Sequence, residues 1–343
     1  MDPTDHTHSA GTDFADAYGA IAEDNDEHRW AFGSGFDDPL VGVDTSVPSG
    51  VDGADLAAYC LMLGDDALIL SHRLQEWVSR APELEDDVAI ANIALDLLGQ
   101  ARLLLARAGK ADGSDRGEDG YAFLRPAMEF RNVTLVELGN GDFAFSLTRL
   151  LIFATYRLAL LDRLRTSRDP VLAAIAAKGV KEVTYHRDYA ARWVLRLGDG
   201  TEESHRRAAD GLAAVWPYVE ELFRPHDIEL RLADAGIAVD PSCLRPEFDA
   251  VTTQVLSAAT LEAPSTVSTP GTADVDDTDE RERPKSAADD SGRTGDAADD
   301  AEASQDTGRA RDGRGRDGVH TETMTALLAE LQGLARAHPE TTW

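Results

Sequence analysis

Lysine is scarce in this chain. Of 343 residues, 63 are aspartate or glutamate and 33 are lysine or arginine, for a net charge of −30. The only lysines are Lys110, Lys178, Lys181 and Lys285. A nucleic-acid binder needs a basic face to displace counterions from phosphates, so that class of partner is excluded. Cysteine is also scarce. Cys60 and Cys243 cannot build a disulfide framework, and no CxxC or Cys/His cluster offers a zinc site. No apolar run reaches the ~18 residues that a membrane-spanning helix needs. The N-terminal MDPTDHTHSAGTDFADAYG has neither the basic nor the apolar stretch of a secretory signal. The expectation is a cytoplasmic protein without a membrane partner. GxGxxG, P-loop, GxSxG and HExxH motifs are all missing. The GxG at Gly139 to Gly141 reads as a turn before a helix capped by Asp142. What the chain does have is acid: so large a surplus with so little lysine fits a halophilic protein, whose acidic surface is screened by high internal salt.

Periodicity organises the rest. Residues 1–50 are rich in Asp, Gly, Ser and Thr with few apolar anchors, and read as an irregular acidic extension. From Asp52, the stretch DLAAYCLMLGDDALILSHRLQEWVSRA has helical spacing up to Pro82. A second helix starts near Pro82, with acids in its first turns, and is expected to end at Gly109 as a C-terminal glycine. A third follows Asp142. A fourth is capped by Asp169-Pro170 and ends at Gly198 to Gly200, and a fifth starts at Thr201 and kinks at Pro217. Strand signals are weak throughout. The expected domain lies over residues 51–261 and is all-α: four long helices in a bundle with additional peripheral helices. From Glu262 to Gly318, 16 acidic residues face 8 basic ones, and Val267 and Val275 are the only large apolar side chains. That stretch reads as a disordered insertion. Within it, RGRDGVH makes only a poor basic patch. Residues 319–343 then give a helix with Met324, Leu327, Leu328, Leu331, Leu334 and Ala335 on one side, expected to dock back on the bundle.

Several polar residues fall on the inward faces. On helix four, Leu172, Ile175, Glu182, His186, Tyr189, Trp193 and Leu197 share one side. On helix two, Asp96 and Gln100 border the stripe Ile93, Leu97, Ala101 and Leu104, and Gly99 stands one turn from Asp96. A di-iron carboxylate bundle needs a Glu from each of two helices and a Glu-x-x-His from each of the other two. Here helix two offers Asp96 and Gly99 but no histidine, and helix four offers Glu182 and His186 four apart. Helix three has no carboxylate between Phe143 and Leu161. Helix one adds only Asp65, Asp66, Glu76 and an unsupported His72. Asp96, Glu182 and His186 are therefore read as degenerate di-iron positions. No metal, cofactor or catalytic residue is expected in this chain. The same residues, with Gln100, Tyr189 and Arg149, are expected to form a hydrogen-bonded network instead.

Six stretches carry a resemblance: LGDDALILSHRLQEW, APELEDDVAIANIALDLLGQAR, FRNVTLVELGNGDFAFSLTR, KEVTYHRDYAARWVLRLGDGTEESHRR, WPYVEELF and HTETMTALLAELQGLARAHP. Together they resemble the smaller ferritin-like subunit of bacterial phenylacetyl-CoA epoxidases. The likeness covers roughly residues 55–260 and 318–343. It implies a ferritin-like fold and a structural role in a multicomponent monooxygenase of phenylacetate catabolism. The implied partners are a catalytic di-iron subunit, a small accessory subunit and a reductase that uses NADPH, flavin and iron–sulfur centres. It also implies that Asp96 and Gly99 are what remains of a ligand pair after its histidine was lost. The faces AAYCLMLGDDALIL and ALDLLGQARLLL, on helices one and two, are expected to form the interface with the catalytic subunit. Two other readings are an independent di-iron oxidase or oxygenase, and a helical scaffold or iron-storage protein unrelated to the aromatic pathway.

Overall fold

The computed structural model describes residues 40–114, 116–264 and 314–338. The irregular stretch expected over residues 1–50 and the insertion expected over 262–318 lie mostly outside them. Among the described residues the regular elements are all helical. Helix α1, Gly53–Gln75, starts where the Asp52 carboxylate accepts the Ala54 and Asp55 amides. Helix α2, Leu84–Ala111, runs back along it. Gly53 abuts Ala111, Gly64 abuts Leu105, and the Ser71 hydroxyl donates to the Ala94 carbonyl at 2.7 Å. Helices α3 (Glu118–Phe123) and α4 (Thr134–Glu137) lead to α5, Phe143–Leu164, which is capped by Asp142 as expected. Helix α6, Pro170–Gly198, is capped by Asp169 with Pro170 at its first position. It pairs with α5: Gly179 abuts Leu161 at one end, and Phe143 meets Trp193 edge to face at the other.

Helix α7, Glu202–Val215, begins in a capping box between Thr201 and Ser204. Pro217 then turns the chain through a 3₁₀ segment into α8, Val219–Leu222. Helices α9 (Asp227–Asp234) and α10 (Arg245–Ala258) and the C-terminal α11 (Glu322–Ala337) complete the fold. The architecture is the expected all-α, ferritin-like one: two antiparallel pairs of long helices share a core, with short helices around them.

The structure corrects several boundaries. Helix α1 stops at Gln75, well short of Pro82, and the intervening turn holds Ser79 at φ 69°. Gly109 lies inside α2 and does not cap it. A Cβ there would stand 2.0 Å from the Arg116 carbonyl oxygen, so this glycine admits a close backbone crossing. On α11, Met324, Leu327 and Leu328 are buried as expected, but Leu334 is exposed. The buried Gln332 instead anchors the helix, donating to the Ala122 and Arg125 carbonyls at 2.9 and 3.0 Å.

Candidate functional site

The inward polar residues divide into separate groups. Nε2 of His186 lies 3.0 Å from Oδ2 of Asp96, joining α6 to α2. One turn along, the Gln100 amide nitrogen donates to Glu182 at 2.9 Å. Lys178 also donates to Glu182 from the surface side. The Gln100 amide oxygen accepts from Nε of Arg157 on α5 at 3.0 Å. Arg157 reaches on to the Leu63 carbonyl on α1 at 3.1 Å. One chain of contacts thus crosses all four long helices.

Two expected members lie elsewhere. The Tyr189 hydroxyl donates to Asp86 at 2.8 Å, and the Trp193 indole donates to the same oxygen at 3.0 Å. Burial and the Asp86 carboxylate together push the Tyr189 phenol far above its ordinary pKa. Arg149 sits near the start of α5, donating to the Leu138 carbonyl and Asn140. Burial draws its pKa down to about 9. The cation within the network is Arg157, two turns further along the helix. The inward stripe of α6 also shifts: Leu172, Ile175 and His186 are buried, whereas Glu182, Tyr189, Trp193 and Leu197 lie at its border.

Gly99 does not stand where a lost ligand would project into the core. A Cβ at Gly99 meets nothing within 4 Å, whereas Gln100, next in sequence, is buried among the four helices. A histidine at position 99 would face open space.

Elsewhere in the core, guanidinium groups pair with the acids. Asp65 takes both terminal nitrogens of Arg125 and the Arg131 amide. Asp66 takes Arg316 at 2.8 Å and the Val133 amide at 2.8 Å. Burial raises the Asp66 pKa, and the Arg316 charge opposes it. Glu76 is held by Arg73 and Asn140. Burial lowers the His72 pKa, and the Glu76 charge opposes that fall. Among the described residues no group of three or more His, Cys, Asp and Glu is placed to hold a metal ion.

A di-iron pair therefore does not fit these residues. It requires several anionic oxygens around two dications. In this bundle a cation, Arg157, reaches across the centre. Burial lowers its pKa and the Asp66 charge partly restores it. Its Nη2 has no hydrogen-bond partner. Two dications beside that guanidinium would add repulsion in a medium of low dielectric.

Sequence reasoning found Asp96, Gln100, Glu182 and His186 from helical periodicity. It missed Arg157, Arg125 and Arg316. The signal for Arg157 was available: a lone arginine within LLIFATYRLALL, with no apolar-free face to hold it in water.

The surface carries one further feature. By length and composition α2 and α5 are each apolar enough to cross a bilayer, which the sequence reading did not anticipate. In α5, 89% of the apolar window is buried, so it is a core helix; in α2 only 50% is. Leu84, Val88 and Leu95 of α2 are 74%, 54% and 49% exposed, and Tyr185 of α6 is half exposed. Helix α1, expected to share this face, is instead almost wholly buried.

A family model described as phenylacetic acid catabolic protein matches residues 44–277. The chain is also similar to a subunit of the 1,2-phenylacetyl-CoA epoxidase of Escherichia coli (strain K12). The two are 38% identical over 288 residues, which is 84% of this chain and 99% of that protein.

Proposed function

The chain belongs to the phenylacetic acid catabolic protein family, and we propose that it is the non-catalytic, structural subunit of an epoxidase acting on the aromatic ring of phenylacetyl-CoA. The observation that carries the non-catalytic part is Arg157 bonded to Gln100 in the bundle centre, where a redox centre would need anionic ligands. Its partners in this reading are a catalytic di-iron subunit, a small accessory subunit and a reductase carrying flavin and iron–sulfur centres and fed by NADPH. This chain itself holds no cofactor.

The physical role is to cover and brace the catalytic bundle. The stripe of Leu84, Val88 and Leu95 supports this. It is a run of large apolar side chains along one side of a long helix, with no cover from the described residues. Contiguous exposed apolar surface of this kind marks a protein interface. A catalytic paralogue with a matching apolar helix face is the occupant this reading assigns.

The acid surplus gives the setting. The reading places the complex in the cytoplasm of a cell with high internal salt, where screening relieves the self-repulsion of a chain at −30.

The test is reconstitution in high salt. The catalytic subunit and reductase are assayed for phenylacetyl-CoA epoxidation with and without this chain. Activity that depends on this chain, together with co-elution of the two bundles, is expected. Full activity without it, or no association, contradicts the proposal.

A further inference from the structure

Packed against the bundle, with Gly315 and Arg316 buried, lies a short segment that the function above does not use. It runs from Arg314 to Thr321, just ahead of α11. Its residues partner three buried acids. Arg316 reaches Asp66, the Met62 carbonyl at 2.9 Å and the Arg131 carbonyl at 2.7 Å. The Gly315 amide donates to Glu221 at 2.9 Å. The Thr321 amide donates to Oε1 of Glu137 at 2.6 Å. Burial raises the pKa of Glu221, and its backbone donors Thr134 and Gly315 oppose that rise. The segment thus supplies part of the charge balance of the core.

We propose that this segment is a proton-locked clip, held closed by the proton shared between His320 and Glu137 and loosened when that proton leaves. The geometry requires the proton. Nε2 of His320 lies 3.1 Å from the Phe130 carbonyl oxygen, which can only accept. Nδ1 lies 2.7 Å from Oε2 of Glu137, which already accepts from Asn132 at 3.0 Å. With Nε2–H committed to the carbonyl, the contact to Glu137 needs a second proton. The pair therefore carries one more proton than neutral imidazole with free carboxylate.

The surrounding charges favour it. Burial opposes the charged imidazole, but the hydrogen bond and charge of Glu137, the Phe130 carbonyl and the charge of Asp65 outweigh it, so the His320 pKa stands above its ordinary value. Cations also approach. Arg131 donates to the same Phe130 carbonyl at 3.1 Å, Arg125 stacks over the Phe130 ring, and Arg73 donates to the carbonyls of Glu137 and Thr323. Arg125 is neutralised by Asp65, and Arg316, on the segment itself, by Asp66. Loss of the proton leaves the imidazole one N–H for two acceptors, so either the Glu137 carboxylate or the Phe130 carbonyl then faces a bare ring nitrogen.

The sign follows from linkage. A raised closed-state pKa holds the clip fully below the open-state value of about 6.5. The lock weakens as pH rises from there to the closed-state pKa and is gone above it.

The test is hydrogen exchange on the full chain between pH 6 and 9, read as protection of peptides within 319–338 after correction for intrinsic exchange. Protection is expected to fall about tenfold per pH unit from about pH 6.5, then level off. His320→Gln is expected to remove that slope, while peptides of α5 stay protected in both proteins. NMR titration of the histidines in the unsubstituted chain gives the second readout. A His320 resonance titrating above 6.5 supports the clip. A flat wild-type profile, or titration of His320 at or below 6.5, overturns it, whether or not the variant folds.

Discussion

Nε of Arg157, on α5, lies 3.0 Å from the side-chain oxygen of Gln100, on α2, and both are buried. The orientation of the Gln100 amide is set by this contact. Its oxygen faces a cation, so its nitrogen faces Glu182, which it reaches at 2.9 Å. One neutral side chain thereby couples a buried positive charge to a border carboxylate and ties three long helices together.

That coupling predicts a non-additive pair. Gln100→Leu leaves the Arg157 charge without its side-chain acceptor and is expected to cost about 3 kcal/mol or more, because an unsatisfied buried donor costs about 1–3 kcal/mol and a charged one more. Arg157→Leu removes the charge itself and is expected to cost less, about 1–3 kcal/mol. The double variant is expected to recover much of the Gln100→Leu loss. Urea unfolding of the four proteins checks this, and simple additivity would remove the pair from the account.

Gly315 predicts a second loss. A Cβ there would stand 2.0 Å from the Asn132 carbonyl oxygen. Gly315→Ala must move the segment off Glu221 and Asp66, and a loss of about 2 kcal/mol or more is expected from the thermal midpoint. Gly99→Ala is the control, since nothing lies within 4 Å of its Cβ. It is expected to be neutral or slightly stabilising, as a helical alanine replaces glycine.

The fold was legible in the sequence wherever local chemistry decides. Asp142, Asp169 and Thr201 each cap a helix, as their side chains and following residues require. Pro217 marks the break in the fifth helix as expected. Legibility failed where a long-range contact decides. Gly109 looks like a helix terminator, but it is a crossing point for a distant carbonyl. RGRDGVH looks like scattered surface arginine, but Arg316 is a core cation whose partner, Asp66, lies 250 residues away. The interior site was half legible. Periodicity placed Asp96, Gln100, Glu182 and His186, but it could not say that Arg157, and not Arg149, completes the chain of contacts. Both arginines sit on a helix that is apolar all round.

The apolar face of α2 predicts an interface variant. Val88→Asp with Leu95→Asp puts charge on two exposed positions of that stripe. The thermal midpoint of the isolated chain is expected to hold within a few degrees, because neither side chain is in the core. Affinity for the catalytic subunit is expected to fall about tenfold or more, as measured by calorimetry or sizing. Unchanged affinity would move the interface elsewhere.

Surface charge predicts the response to acid. The Asp55 carboxylate takes two nitrogens of Arg231 at 2.7 and 2.8 Å. The Arg231 hydrogen bond lowers the Asp55 pKa below its ordinary value, and the small burial of the group opposes it. A depressed folded-state pKa gives stability that is present above the unfolded value of about 3.9 and lost as pH falls through the folded one. Arg231 is largely exposed, so Asp55→Asn is expected to cost no more than about 1 kcal/mol at neutral pH, and less as pH falls through the folded-state pKa. At molar salt the cost is expected to shrink further. The whole chain, at −30, is expected to melt higher as salt rises.

The central claim is that this bundle braces an oxygenase and performs no redox chemistry itself. The most direct measurement is iron per chain, on protein expressed alone in iron-replete cells and purified in high salt. The account predicts near-zero iron, because Arg157 spans the centre and the core acids are taken by arginines. About two irons per chain, the complement of a working di-iron bundle, would contradict it.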